Sequence, residues 1–373
     1  VVGDPLDVET DVGEDGYRMF ANLEAGSSHV ALEELRFDGG GSDIQGRVAL
    51  RLGEIPQIDA HLRSEKLQLP FTRSLPTQAE AKSSQTQPDE GSGGNADWTT
   101  PPGEAQLAQR VIPNTQLPLD WMHDFDAVLR FDVDRAHVRE DIHARMAIDL
   151  VLEGGVLASR KLEWLGPVSE GRASLTVDSR HDDNRYHLHL SSSRLPLVWF
   201  FAGQGAPTYQ ALYLADLKAV GNTAREIASS LNGALLFKGK GIRVNNQGID
   251  VLLGATLTSI MDRMNPFTQT EPYTELECHA GALAFDQGLM EIIPGMAIRT
   301  EKVDMAVLGV IDLRDESLGV TLKSRARKGL GISAGKLVTP NLKLAGNLAN
   351  PYITVDPEAV VTTGGAAIAT AGL

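Results

Sequence analysis

The most constraining feature of this 373-residue chain is a two-residue alternation of apolar and charged side chains, sustained over whole segments. Phe125, Ala127, Leu129, Phe131 and Val133 interleave with Asp126, Arg130, Asp132 and Asp134. Ile142, Ala144, Met146, Ile148, Leu150 and Leu152 interleave with His143, Arg145, Asp149 and Glu153. Successive side chains of a strand point to opposite faces, so this pattern demands extended chain with one apolar and one charged face, and it forbids a helix, whose period is 3.6. The same period recurs over Val30–Phe37, Ile44–Leu52, a strand opened by Pro56, Leu157–Trp164, Arg172–Ser179, Arg185–Ser192 and Gln210–Val220, with Gly- and Asp-rich turns between several of them. Beyond residue 300, Met305, Val307, Gly309, Ile311 and Leu313 alternate with Asp304, Ala306, Leu308, Val310 and Asp312.

Helices are few. Thr223 and Glu226 have the spacing of a capping box and predict a helix running to about Leu231, closed by Asn232-Gly233 and followed by a strand at Ala234–Phe237. Leu257, Ile260, Met261 and Met264 suggest a second helix, stopped at Asn265-Pro266. The expected fold is mainly β: a long, twisted, curved antiparallel sheet of about seventeen strands, with two or three short helices. A long-period repeat points the same way. Leu62-x-Ser64-x-Lys66-Leu67-x-Leu69 returns as Leu190-x-Ser192-x-Arg194-Leu195-x-Leu197, with a degenerate copy from Leu322, and each copy follows a strand led by Gly46, Gly171 or Gly309.

The sequence divides into a β-rich repeat over 1–75, a disordered insertion over 76–106, a groove repeat over 107–220, a β region with short helices over 221–357, and a truncated small-residue helix over 358–373. The insertion is assigned on its Gln, Ser, Gly, Glu and Pro content, which cannot bury enough apolar surface to order itself.

Composition narrows the function. A net charge of -15, from 49 acidic and 34 basic side chains, opposes an electrostatic grip on nucleic acid. Cys278 is the single cysteine, which rules out an intrachain disulfide within this sequence and any zinc site of several thiolates. His187 and His189 share a strand face, but no third ligand with suitable spacing accompanies them; Asp132, Asp134 and the Asp182-Asp183-Asn184 turn read as solvated edges and turns. No nucleophile elbow, zinc-protease motif or phosphate loop occurs, so no enzyme, metal or cofactor is expected.

Four segments resemble the AsmA-like proteins of the Gram-negative bacterial envelope: the Gly-x-Thr-x-x-Glu-Ile-Ala-x-Ser-Leu-Asn-Gly run from Gly221 to Gly233, Tyr273–Cys278, Val310–Arg314, and Gly346-Asn347-Leu348-Ala349-Asn350-Pro351. The resemblance spans about 221–357. It implies a periplasmic body, anchored to the inner membrane by an N-terminal transmembrane helix that this sequence does not include, whose curved sheet forms an open, taco-like hydrophobic groove that carries phospholipid acyl chains between the inner and outer membranes. The groove candidates are Phe125, Leu129, Phe131, Ile142, Met146, Ile148 and Leu150. The implied partners are lipids and other envelope proteins. The alternative is a non-enzymatic scaffold or assembly factor for outer-membrane proteins. Since the sequence begins Val1-Val2-Gly3 without methionine and its longest apolar run, Leu195–Ala202, is too short to span a bilayer, it reads as a fragment of the longer protein.

Overall fold

The computed structural model describes residues 6–10, 17–68, 101–139, 142–167, 170–194, 210–245, 273–300, 303–327 and 342–355. The protein is mainly β, and its contacts divide it into two units. The first comprises 1–73, 115–199 and 210–227; the second comprises 74–114, 200–209 and 228–373.

Among its described residues twelve strands form the first unit: β1 (Leu6–Thr10), β2 (Tyr17–Ala25), β3 (His29–Gly39), β4 (Ser42–Arg51), β5 (Gln57–Ser64), β6 (Leu67–Gln68), β7 (Asp126–Arg139), β8 (Ile142–Glu153), β9 (Val156–Leu165), β10 (Glu170–Asp178), β11 (Arg185–Arg194) and β12 (Gln210–Val220). Among the described residues, neighbours along the chain pair antiparallel except at one junction. β5 and β6 both pair with β7 in parallel, Ile58 opposite Ala127 and Leu67 opposite Ala136. The uniformly antiparallel sheet expected from the sequence is therefore interrupted at this junction. A parallel neighbour needs a crossover rather than a hairpin, and the long stretch between β6 and β7 supplies the length. β1 and β2 escaped the sequence reading, because Tyr17–Ala25 has no strict alternation of charge against its apolar residues.

Among its described residues the second unit holds seven antiparallel strands in chain order: β13 (Asn232–Asn245), β14 (Tyr273–Asp286), β15 (Leu289–Thr300), β16 (Val303–Asp312), β17 (Ser317–Ala326), β18 (Leu342–Gly346) and β19 (Pro351–Val355). Its core is a row of one buried side chain per strand, Ile292, Val307, Val320 and Leu344, across β15 to β18. β13 is much longer than the expected Ala234–Phe237 strand. Residues 257–264, expected as a helix, lie outside the described residues.

Two short helices are described, α1 (Glu104–Leu107) and α2 (Ala224–Ser229). The α2 capping box forms as expected: the Glu226 N–H donates to Thr223 Oγ1 at 3.1 Å while Glu226 Oε2 accepts from the Thr223 N–H at 3.0 Å. The helix ends two residues before Leu231. α1 begins inside the stretch expected to be unordered, and it belongs to the second unit: Asn347 Nδ2 donates to the carbonyls of Leu107 (2.8 Å) and Gln109 (2.9 Å), and Asn350 Nδ2 to that of Gln106 (2.7 Å). Two of the asparagines in the Gly346–Pro351 segment thus hold a strap of chain about 240 residues away in sequence.

Two of the three glycines leading the repeat, Gly46 and Gly309, have a common cause. Gly46 has φ +151° and a Cβ there would lie 2.0 Å from the His61 carbonyl oxygen; Gly309 has φ +127° and a Cβ would lie 2.1 Å from that of Gly319. Both face a neighbouring strand at the edge of a β-bulge, Gly46 opposite Leu35 and Gly309 opposite Ile292, where the local twist brings backbones too close for a side chain.

Candidate functional site: the apolar face of the first unit

The register turns the alternation into rows. Val48, Ala60, Leu129 and Leu150 stand opposite one another across β4, β5, β7 and β8. In the next row Leu62, Phe131, Ile148 and Leu162 do the same across β5, β7, β8 and β9. Apart from the buried Ala60, these side chains are only half-buried, so the middle of the face keeps part of its apolar surface uncovered. The ends differ. At one end Met122, Leu152 and Val177 form a buried cluster joined by Leu119, Phe125, Leu157 and Tyr186. At the other, Ser64, Val133, Trp164, Ser192 and Tyr213 are all buried.

Met122 reaches the first end from a 3-10 turn, Asp120–His123, and is 1% exposed. The turn closes through Met122 N–H to the Leu119 carbonyl (3.0 Å) and Asp124 N–H to that of Trp121 (3.1 Å). It is anchored by His123, whose Nε2 lies 3.0 Å from the Ser179 carbonyl oxygen and whose ring occupies the space over Gly155. Just upstream, the Leu117 N–H donates to the Asn222 carbonyl, and Asn222 Oδ1 accepts from both the backbone and side-chain N–H groups of Asn184. The Gly221–Gly233 segment thereby fastens the chain that carries the Met122 stopper.

The expected groove residues fall into three groups. Leu129, Phe131, Ile148 and Leu150 lie in the half-buried middle rows, with half-buried Met146 one row further, opposite Val133 and Trp164. Phe125 precedes β7 instead of starting it; it packs in the Met122 cluster and stacks on Trp121 with ring centroids 5.8 Å apart, so it belongs to the closed end. Ile142 begins β8 opposite Arg139, and its side chain lies outside the described residues.

The opposite face is ionic. Arg63 and Asp134 pair at 2.8 Å, Arg130 and Asp149 at 3.7 Å, and Arg130 Nη1 lies 3.0 Å from His61 Nε2. These are solvent-exposed pairs on neighbouring strands, which contribute little to stability but keep that face wet. His187 and His189 share this face as expected, and β12 brings Asp216 between them: His187 Nε2 is 3.0 Å from Oδ1 and His189 Nδ1 is 3.6 Å from Oδ2. The hydrogen bond from His187 holds the Asp216 carboxyl below the usual carboxylate range. Sequence spacing missed Asp216 because it lies on the next strand, 27 residues after His189. Among the described residues no group of three or more His, Cys, Asp and Glu side chains is arranged to hold a metal ion. No helix among them is long and apolar enough to cross a membrane.

Comparison of the chain with protein-family models, with characterised proteins and with solved structures finds no match to any of them.

Proposed function

We propose that this chain is the periplasmic part of an AsmA-like envelope protein and that the apolar face of its first unit is an open groove for extended acyl chains, serving phospholipid transport between the inner and outer membranes. The observation that supports this reading is the half-buried middle of that face. A sheet packed on a second layer would bury those rows as it buries Val133, and an apolar surface left partly uncovered favours an apolar occupant, by about 0.8 kcal/mol for each methylene taken from water. The two ends are buried, so the uncovered strip is bounded along the strand direction. A linear chain lying across the strands fits this geometry better than a compact ligand does. The four segments that resemble the family carry the assignment to the envelope and to phospholipid.

Charge substitution tests the reading. Leu129→Glu and Ile148→Asp lie in the middle rows, where a carboxylate stays partly hydrated; both variants should fold, with lipid recovered by mass spectrometry of organic extracts falling severalfold. Met146→Glu should behave likewise. Val133→Asp, at a fully buried position, should cost several kcal/mol and unfold. Arg130→Glu on the ionic face should alter neither property. Unfolding of Leu129→Glu and Ile148→Asp alongside Val133→Asp would return the face to an ordinary closed core. Folded protein with no extractable lipid in any variant or the parent would favour the scaffold reading.

A further inference from the structure

The ionic face of the first unit changes character toward the end where Trp164 is buried. On β11, His187 and His189 are followed on the same side by Ser191 and Ser193, and on β8 Ala147 stands between Arg145 and Asp149. The register sets Ala147, Glu163, Arg172 and Ser191 in one row across β8, β9, β10 and β11. Small side chains among long ones leave an open concavity of about 560 Å³, lined by Ala147, Ser191 and Ser193 together with Arg145, Lys161 and Arg172. β10 is irregular on both sides here, its register shifting between Glu170 and Gly171 against β11 and between Arg172 and Thr176 against β9. Irregularities of this kind bend a strand and re-aim its side chains.

Three carboxylates border the concavity. Glu170 is engaged by Arg194 at 3.0 Å and Glu163 by Lys161 at 3.7 Å. Asp132 stands on β7, three strands from Arg172, about 14 Å away at the usual strand spacing. Arg145 feels the charge of Asp134, but that carboxylate is bonded to Arg63 at 2.8 Å. Among the described residues neither Arg145 nor Arg172 makes a side-chain hydrogen bond or ion pair, and the hydroxyls of Ser191 and Ser193 are equally unclaimed. The unpaired charge in the lining is therefore two guanidiniums against one distant carboxylate, which favours an anion.

We infer that this concavity binds a phosphate ester, with Arg172 forking onto two phosphate oxygens, Ser191 and Ser193 donating beside it, and Arg145 reaching the phosphate from β8. A guanidinium presents its N–H groups in a planar fork that matches phosphate geometry, and a phosphate offers enough acceptor oxygens to use two such groups and two hydroxyls, which a carboxylate does not. Leu165, 60% exposed and also in the lining, gives the carbon side of the ester an apolar contact. The net charge of -15 repels anions at long range, so recognition has to come from these close contacts. The ester belongs either to a small phosphorylated molecule or to a lipid headgroup. Since the concavity lies on the opposite side of the sheet from the half-buried apolar rows, the inference does not rest on the acyl-chain reading.

The test is calorimetric titration of the full chain with glycerol phosphate, paired with co-sedimentation on phosphatidylcholine vesicles containing phosphatidic acid. One of the two probes should bind saturably: glycerol phosphate alone identifies a soluble ester, and sedimentation that depends on phosphatidic acid identifies a headgroup. Arg172→Gln should weaken that binding about tenfold or more, the usual cost of losing a charge-assisted hydrogen bond. Arg172→Lys, which keeps the charge without the fork, should fall between. Arg145→Gln and the double variant Ser191→Ala, Ser193→Ala should each weaken it severalfold, whereas Asp132→Asn should bind at least as tightly as the parent. His187→Ala, on the same face but outside the concavity, should bind like the parent. Arg145 and Arg172 are exposed, so thermal unfolding of their variants should match the parent's; having two positions keeps the test decisive where one variant folds poorly. Lipid extracted from the apolar face should be unchanged in Arg172→Gln, which separates this result from the acyl-chain test. Absence of saturable binding to either probe overturns the inference, as does binding that Arg145→Gln and Arg172→Gln both leave intact. Glycerate binding as tightly as glycerol phosphate overturns it too, since a carboxylate would then suffice.

Discussion

Glu316 holds Val111 from 205 residues away: its Oε2 accepts from the Val111 N–H at 2.6 Å while Oε1 accepts from the Ile112 N–H at 3.0 Å. The carboxylate is 1% exposed, and it sits in the turn between β16 and β17 at φ +59°, a backbone region costly for glutamate. A charged group buried in this way persists because both oxygens are satisfied by backbone donors, and hydrogen bonds to a charge are worth about 1.5–3 kcal/mol. Glu316→Ala should therefore release the strap that α1 begins. Arg110 lies within it, so trypsin cleavage after Arg110 should accelerate well beyond cleavage elsewhere in the folded protein. Glu316→Gln, which keeps one acceptor, should fall between. Unchanged cleavage at Arg110 would mean that Asn347 and Asn350 hold the strap alone.

Gly171 and Trp164 pair across β9 and β10, and a Cβ at position 171 would lie 2.3 Å from the indole. Trp164 is buried and borders the closed end of the apolar face. Gly171→Ala should displace the ring and cost about 1–3 kcal/mol, the usual range for overpacking. Chemical denaturation gives the stability change, and tryptophan emission moving to longer wavelength reports the displaced ring.

Met122 and Trp121 share one turn but differ in burial, so their removal should differ in cost. Met122→Ala removes a fully buried side chain from the Leu152 and Val177 cluster and should cost about 2–5 kcal/mol. Trp121→Ala forfeits the stacking on Phe125, about 0.5–1.5 kcal/mol. The same denaturation midpoints, compared at constant slope, check the order; a larger loss for Trp121→Ala would show that the turn is held from its outer side.

His279 gives the second unit a pH dependence. The residue is 8% exposed, neither ring nitrogen has a hydrogen-bond partner among the described residues, and the Phe237 ring centroid lies 6.0 Å away. Gly239 and Ile298 stand opposite it, and Glu277, two residues back, is engaged by Arg327. Burial pushes the imidazole pKa below its ordinary 6.5. The unfolded chain then takes up a proton near pH 6.5 that the folded protein refuses until lower pH, so stability falls as pH drops through that window. Asp216, Asp304 and Asp312 act elsewhere: their hydrogen-bonded partners hold them below 3.8, and the stability they add is complete above that value and lost only in stronger acid. His279→Leu should raise stability at pH 5.5 more than at pH 7.5. An equal gain at both values would show that the imidazole is not the group that titrates.

The period-two alternation determined most of the strands, the apolar side of each and the sparsity of helix, because those follow from backbone geometry within a few residues. Leu129, Phe131, Ile148 and Leu150 could be placed on one face without any partner being known, and the α2 cap was legible because Thr223 and Glu226 are three residues apart. Distance along the chain is where this legibility stopped. Nothing local states that β5 lies parallel to β7, that Asp216 stands between His187 and His189, or that Phe125 joins a stopper instead of the open rows. α1 begins at Glu104, within the 76–106 stretch read as unordered, for a related reason: its own side chains bury little, and Asn350 reaches the Gln106 carbonyl from a distant part of the chain. Glu316 likewise reads as a surface residue in a turn, and only the return of Val111 and Ile112 to that turn makes its burial affordable. Strand and face are properties of a short segment, whereas register across a crossover and the satisfaction of a buried polar group depend on partners hundreds of residues away, which only the folded chain brings together.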